Sequence, residues 1–253
     1  MSGNDIGLWF QSIPVITRYW FAGSIIFPLA GRFGLLSYHN MILNYSLINR
    51  FQIWRPFTSV LYYPITPATG FHYLITLYFL YSYSNRLESG AFAGKTADYL
   101  FLLIFNWLAL VVLCLMLDFP LLFDPMVMSV LYIWCQLNRD TVVQFWFGTQ
   151  FKAMYLPWIL LAFNLIISGG GFSELLGILV GHLYFFLMFK YPQDFGGQTY
   201  ISTPSILYKF FPLQRGAMSG FGTAPANRRP AANNEDANRG RYHWGQGNQL
   251  GGT

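Results

Sequence analysis

Charged positions along the chain are sparse, and the intervals between them set the pattern. The first apolar run lies between Arg18 and Arg32 and keeps its character to about Leu36. Thirty uncharged residues separate Arg55 from Arg86, and the second half, FHYLITLYFLYSYS, reads as a helix. Nineteen uncharged residues lie between Asp98 and Asp118, 14 between Asp124 and Arg139, 21 between Lys152 and Glu174, and 15 between Glu174 and Lys190. These intervals predict six apolar helices at about 16–36, 71–86, 97–117, 122–138, 153–170 and 174–190. Two are short: at 1.5 Å per residue, 14 or 15 residues span about 22 Å against a hydrocarbon core of roughly 30 Å. Short helices of this kind predict a bilayer thinned around the protein.

Composition supports the membrane reading. Of 253 residues, 54% are hydrophobic and only 10% charged, against about 25% charged in a soluble domain. Residues 1–190 are predicted to form one all-α membrane domain. Residues 191–253, rich in Gly, Asn, Arg and Pro without long apolar runs, are predicted to be a mostly disordered tail. Asp5 and Pro14 precede the first apolar run and no basic stretch opens the chain, so no cleavable signal peptide is expected. Cys114 and Cys135 both lie in apolar runs, which predicts buried thiols rather than a disulfide framework.

The net charge of +5 is unevenly distributed. Six spans place both termini on one side. With them lie Arg18, Arg86, Lys95, Arg139, Lys152, Lys190 and six basic residues of the tail; on the other side lie only Arg32, Arg50 and Arg55. The bias predicts cytosolic termini. Residues 37–70 are then non-cytosolic, and they contain NRFQIWRPFTSV (residues 49–60), too polar to span a bilayer and too apolar for a free loop. Trp, Tyr and Arg favour the headgroup zone, so this stretch predicts a membrane-dipping loop with short helices. Asn44-Tyr45-Ser46 is a glycosylation sequon on the same side.

Six helices, a long first loop bearing Trp54-Arg55, and Gly177-x-x-x-Gly181-His182 in the last helix resemble the rhomboid superfamily. Within it the chain resembles the derlin family, through FQIWRPFTS, LYFLYSYSNRLESGAF, ADYLFLLIFNW, MSVLYIWCQLNRD, FWFGTQFKAMYLPW and GHLYFFLMFKYP. The resemblance runs from about residue 6 to the tail. It implies a rhomboid-like six-helix bundle in the endoplasmic reticulum membrane. It implies a role in endoplasmic-reticulum-associated degradation, in which misfolded proteins return to the cytosol and a valosin-containing-type AAA ATPase extracts them. A membrane ubiquitin ligase complex, misfolded substrates, membrane lipid and homo- or hetero-oligomeric assembly are the partners it implies.

Rhomboid proteases carry Gly-x-Ser-Gly in the fourth helix and a His in the sixth. Here the first of these reads Met126-Val127-Met128-Ser129-Val130, without flanking glycines to let substrate and backbone approach. A further rhomboid pattern, His-x-x-x-Asn, is half kept as His72 with Thr76. Ser129 and His182 are therefore expected to be relics, with His182 buried and satisfied by neighbouring helices. An active intramembrane serine protease is the alternative reading, and a pore for small solutes a third. Gly177 and Gly181, four apart, predict close helix packing. Asn106, Asn164, Ser168, Gln136 and His182 could line a hydrophilic passage or make interhelical hydrogen bonds.

The chain ends RYHWGQGNQLGGT. It resembles the SHP box that recruits the valosin-containing ATPase, Phe-x-Gly-x-Gly-x-x-Leu, with Gly245, Gly247 and Leu250 in register. His243 holds the Phe position and the aromatic, Trp244, comes one place later. No metal site, cofactor site, phosphate loop or nucleic-acid-binding pattern is evident, and no cofactor is expected.

Overall fold

The computed structural model describes residues 3–45, 51–144, 148–168, 170–194 and 201–212. The expected segment 16–36 is a helix over Val15–Arg32 (α2), preceded by a helix that the charge pattern did not predict, Gly3–Ser12 (α1). Pro14, at the N-cap of α2, has a fixed φ suited to a helix start. The end comes early for a local reason. Gly34 takes φ +76°, the Leu35 amide donates to Ala30 O and the Gly34 amide to Gly31 O. This pair of bonds is a Schellman stop, which satisfies the orphan carbonyls of the last turn.

The first loop holds two short helices, Tyr38–Met41 (α3) and Arg55–Leu61 (α4). Next come Gly70–Arg86 (α5), prolonged by a π-helical turn at Leu87–Ala91, and Thr96–Met116 (α6). Phe123–Leu137 (α7) follows. The strands Val142–Gln144 (β1) and Gln150–Lys152 (β2) pair antiparallel, Val143 opposite Phe151. A 3₁₀ turn at Ala153–Tyr155 leads into Leu156–Ser168 (α8). Phe172–Phe185 (α9) runs on through a π-helical turn to Asp194, and Ser205–Phe210 (α10) is the last helix described.

One expectation needs correction. The domain is not wholly α: β-branched and aromatic residues flank a turn at Gly148, φ +74°, and form the β1–β2 hairpin. The Asp140–Lys152 ion pair, 2.9 Å, closes its base; it holds the Asp140 carboxyl below and the Lys152 ammonium above their usual ranges. Within the stretch after residue 190, expected to be mostly disordered, α10 docks onto the start of α6. There Asp98 accepts a hydrogen bond from Thr203 Oγ1 at 2.6 Å and another from the Tyr208 hydroxyl.

Among the described residues, Thr96–Met116 and Phe172–Asp194 are both long and apolar enough to cross a membrane. The segments Phe123–Leu137 and Ala153–Ile166 are apolar but shorter. Length and apolarity thus single out two of the six expected spans. One of the shorter helices, α7, is the centre of the structure. Every residue from Pro125 to Cys135 is buried, because α5, α6, α8 and α9 surround it. Its apolarity on all sides is that of a core helix. Cys114 and Cys135 are free and buried in this core.

The antiparallel helices define two ends. At the proximal end α2 and α6 begin and α5 finishes. At the distal end α5, α7 and α9 begin and α8 finishes. The 17 residues of α5 separate the two by about 25 Å.

Candidate functional site

The first-loop motif divides its work between neighbours. Trp54 caps α4 and is 49% exposed. Arg55 is 2% exposed, its guanidinium turned inward rather than toward a headgroup zone. Its Nη1 donates to His39 O at 2.5 Å and Ile42 O at 2.9 Å, and its Nε donates to Gln52 Oε1 at 2.7 Å. One side chain thereby ties α4 to the carbonyl end of α3. The bundle holds α4 from the other side: Trp107 Nε1 donates to Pro56 O at 2.9 Å, and the Leu122 amide to Ser59 O at 3.1 Å. A Cβ on Gly31 would lie 2.5 Å from the Tyr62 ring, so the glycine makes the notch in α2 that seats the loop. Asn44 is exposed; Arg50 and the sequon's Ser46 lie outside the described residues.

Ser129 and His182 each have other partners. Ser129 is fully buried; its Oγ donates to Met126 O at 2.8 Å and accepts from Asn106 Nδ2 at 3.1 Å. His182 is exposed, not buried as expected, and its Nδ1 is hydrogen-bonded to the Tyr132 hydroxyl at 2.8 Å. No Ser–His hydrogen bond is present among the described residues.

The paired glycines lie where α9 crosses α7. A Cβ on Gly177 would stand 2.5 Å from Pro125 O, and one on Gly181 would stand 2.7 Å from Ser129 O. Backbone meets backbone there, and no side chain fits without moving a helix.

A cavity of about 120 Å³ opens at the distal end between α5, α7, α8 and α9. Its polar wall consists of His72, Thr76, Asp124, Asn164 and Glu174; Phe71, Phe79 and Phe163 supply aromatic surface. Glu174, its side chain 6% exposed, accepts from Asn164 Nδ2 at 2.6 Å and from Ser173 Oγ at 2.8 Å. His72 stands between the acids, Nδ1 3.9 Å from Asp124 Oδ1 and Nε2 3.8 Å from Glu174 Oε1. These are ion-pair distances, too long for hydrogen bonds. His72 Nδ1 is hydrogen-bonded to the Tyr63 hydroxyl at 3.2 Å instead. Asp124 Oδ1 is enclosed and has no hydrogen-bond partner. Among the described residues no His, Cys, Asp and Glu group is arranged to hold a metal ion.

Of the polar span residues singled out from sequence, only Asn164 lines this cavity; Asn106 bonds Ser129, and the side chain of Ser168 lies outside the described residues. Sequence reasoning missed Asp124 and Glu174, which it used only as span ends. Each acid bounds a short charge-free interval, of 14 and 15 residues, but nothing in the sequence joins the two. The tail residues Trp244, Gly245, Gly247 and Leu250 lie outside the described residues.

At the proximal end a second acid is enclosed differently. Glu88, in the π-helical turn, reaches the first turn of α2. Its Oε1 accepts from the Ile16 amide at 3.0 Å, and its Oε2 accepts from the Thr17 amide at 2.7 Å and from Thr17 Oγ1 at 2.8 Å. Ser84 Oγ links Thr17 Oγ1, 2.7 Å away, to the Tyr99 hydroxyl at 2.5 Å. A carboxylate here fills the orphan donors of a helix N-terminus and complements its dipole.

Comparison with known proteins agrees over the whole bundle. The Der1-like family matches residues 13–205. The chain is 57% identical to Derlin-1 of Mus musculus, over 98% of this chain and 99% of that protein. It is 52% identical to Derlin-1 of Caenorhabditis elegans, over 85% and 88%, and 39% identical to Derlin-1 of Drosophila melanogaster, over 98% and 99%. With a family match from before α2 to the start of α10 and relatives this similar over 88–99% of their length, the chain belongs to the Der1-like family.

Proposed function

We propose that this protein is a rhomboid-like pseudoprotease of the endoplasmic reticulum membrane that serves endoplasmic-reticulum-associated degradation. It aids the return of misfolded proteins to the cytosol and recruits a valosin-containing-type AAA ATPase through its tail, beside a membrane ubiquitin ligase complex. The observation that carries this reading is the near-complete similarity to Derlin-1 proteins, 57% over 98% of the chain. The separate bonding of Ser129 and His182 supports binding without cleavage. Both termini are read as cytosolic from the twelve-to-three bias of Lys and Arg.

Mechanistically, helices of unequal length would thin the bilayer beside the bundle and shorten the apolar path a polypeptide must cross. The first loop, clamped by Arg55, would hold Trp54 outward at the membrane surface. The central test is replacement: cells lacking the protein should stabilise a misfolded lumenal client, and the full chain should restore its turnover. Unchanged client half-life on removal would end the proposal. Deleting residues 241–251 should abolish pull-down of the ATPase; undiminished capture would remove the tail from the mechanism. Labelling by a fluorophosphonate that depends on Ser129 would instead support the protease reading.

A further inference from the structure

The geometry points to the distal cavity as a receptor for a basic side chain, lysine or arginine, carried by a polypeptide that this protein handles; it rests on the client-handling reading above. Three observations converge. First, acceptors outnumber donors. Glu174 is satisfied by Asn164 and Ser173, but the enclosed Asp124 Oδ1 has no donor, and a buried acceptor without one is costly. An ammonium or guanidinium entering the cavity meets the part of the Asp124 side chain that is exposed, 17% of it, and brings N–H groups to an under-donated carboxylate.

Second, the charge is one-sided. Among the described residues two carboxylates line the cavity, His72 is the single basic group on its wall, and no Lys or Arg lines it. A cation neutralises the surplus, whereas an anion would meet both acids.

Third, the apolar wall suits a cation. Phe71, Phe79 and Phe163 line the same cavity as the acids, and aromatic faces attract ammonium and guanidinium groups. Phe71, on the cavity wall, is 59% exposed, so the cavity reaches the surface there. A zwitterionic amine headgroup fits less well, because its phosphate would lie beside two carboxylates with no lysine or arginine to meet it.

The test uses the purified full chain in maltoside micelles and two labelled leucine-rich helical peptides, identical except for one Lys or Leu near one end. Fluorescence anisotropy should show the Lys peptide binding about tenfold more tightly, the scale of one hydrogen bond to a charged group. Asp124→Asn combined with Glu174→Gln should reduce the ratio to about one. Asp124→Glu, which keeps the charge, should preserve the preference and so separates loss of charge from loss of fold. Equal binding of both peptides to the unaltered chain, or a preference that survives the neutral variant, would overturn the inference while leaving the client-handling reading intact. Binding of neither peptide would overturn both. A preference abolished by phosphatidylethanolamine but not by phosphatidylglycerol would reassign the cavity to a lipid amine and overturn the polypeptide claim.

Discussion

The two ends of α5 bury acids in opposite ways. At the proximal end Glu88 accepts two backbone amides and a hydroxyl, and a line of hydroxyls through Ser84 to Tyr99 completes the network. At the distal end Asp124 and Glu174 flank His72 at ion-pair distances around a cavity, and one carboxylate oxygen has no donor. The difference separates structural from receptive polarity. A satisfied network rigidifies the contact among three helices, whereas an unsatisfied one leaves a demand that another molecule can meet.

The comparison can be broken most severely through the scaffold beneath the distal end. Gly181→Leu should yield little or no monodisperse folded protein, because the new Cβ alone would stand 2.7 Å from Ser129 O. Overpacking of this kind costs about 3 kcal/mol or more. Size-exclusion profiles and thermal unfolding in detergent would show it, and a normal profile would rule out the packing role.

Next in size is the proximal acid. Glu88→Ala strands the Ile16 and Thr17 amides and should destabilise by about 2–3 kcal/mol, with Glu88→Gln costing roughly half as much. An unfolding midpoint unchanged in both variants would show that the network contributes nothing.

The first loop provides an internal contrast. Arg55→Ala removes three hydrogen bonds from a buried site and should cost about 2 kcal/mol, exposing residues 38–61 to limited proteolysis. Trp54→Ala, at a half-exposed position, should cost under about 1 kcal/mol and leave the cleavage pattern unchanged. Equal protease sensitivity in the two would erase the division of labour drawn between them.

The smallest effect is expected at the distal acid. Asp124→Asn removes a buried charge one of whose oxygens has no donor, and should leave stability within about 1 kcal/mol of the parent, or raise it. A loss as large as that of Glu88→Ala would make the two ends equivalent and the comparison void.

Much of the frame was legible in the sequence. Charge-free intervals located the main apolar helices to within a few residues at most ends, because a charge in an apolar helix is costly enough to mark its limit. Helix ends set by backbone geometry were less legible: α2 stops at Arg32 by a Schellman turn although apolar residues continue to Leu36. The β1–β2 hairpin and α10 were missed because both are short and are held by tertiary contacts, among them the bonds from Thr203 and Tyr208 to Asp98. In the candidate site, Gly177 and Gly181 were legible by spacing. Asp124 and Glu174 were not, because 50 residues separate them along the chain and each alone looks like a boundary.

By itself, then, the sequence determined the apolar helices, the small-residue crossing, the asymmetry of positive charge and the family. The first three follow from local composition and period, which every residue carries wherever the chain goes; the family follows from the similarity of its segments to known members. Only the tertiary structure decided that Arg55 turns inward, that Ser129 and His182 have separate partners, and that one acid is closed in while two face a cavity. Such outcomes depend on which side chain from a distant segment supplies or withholds a donor, and pairing across 50 to 72 residues is a property of packing, not of any stretch of chain.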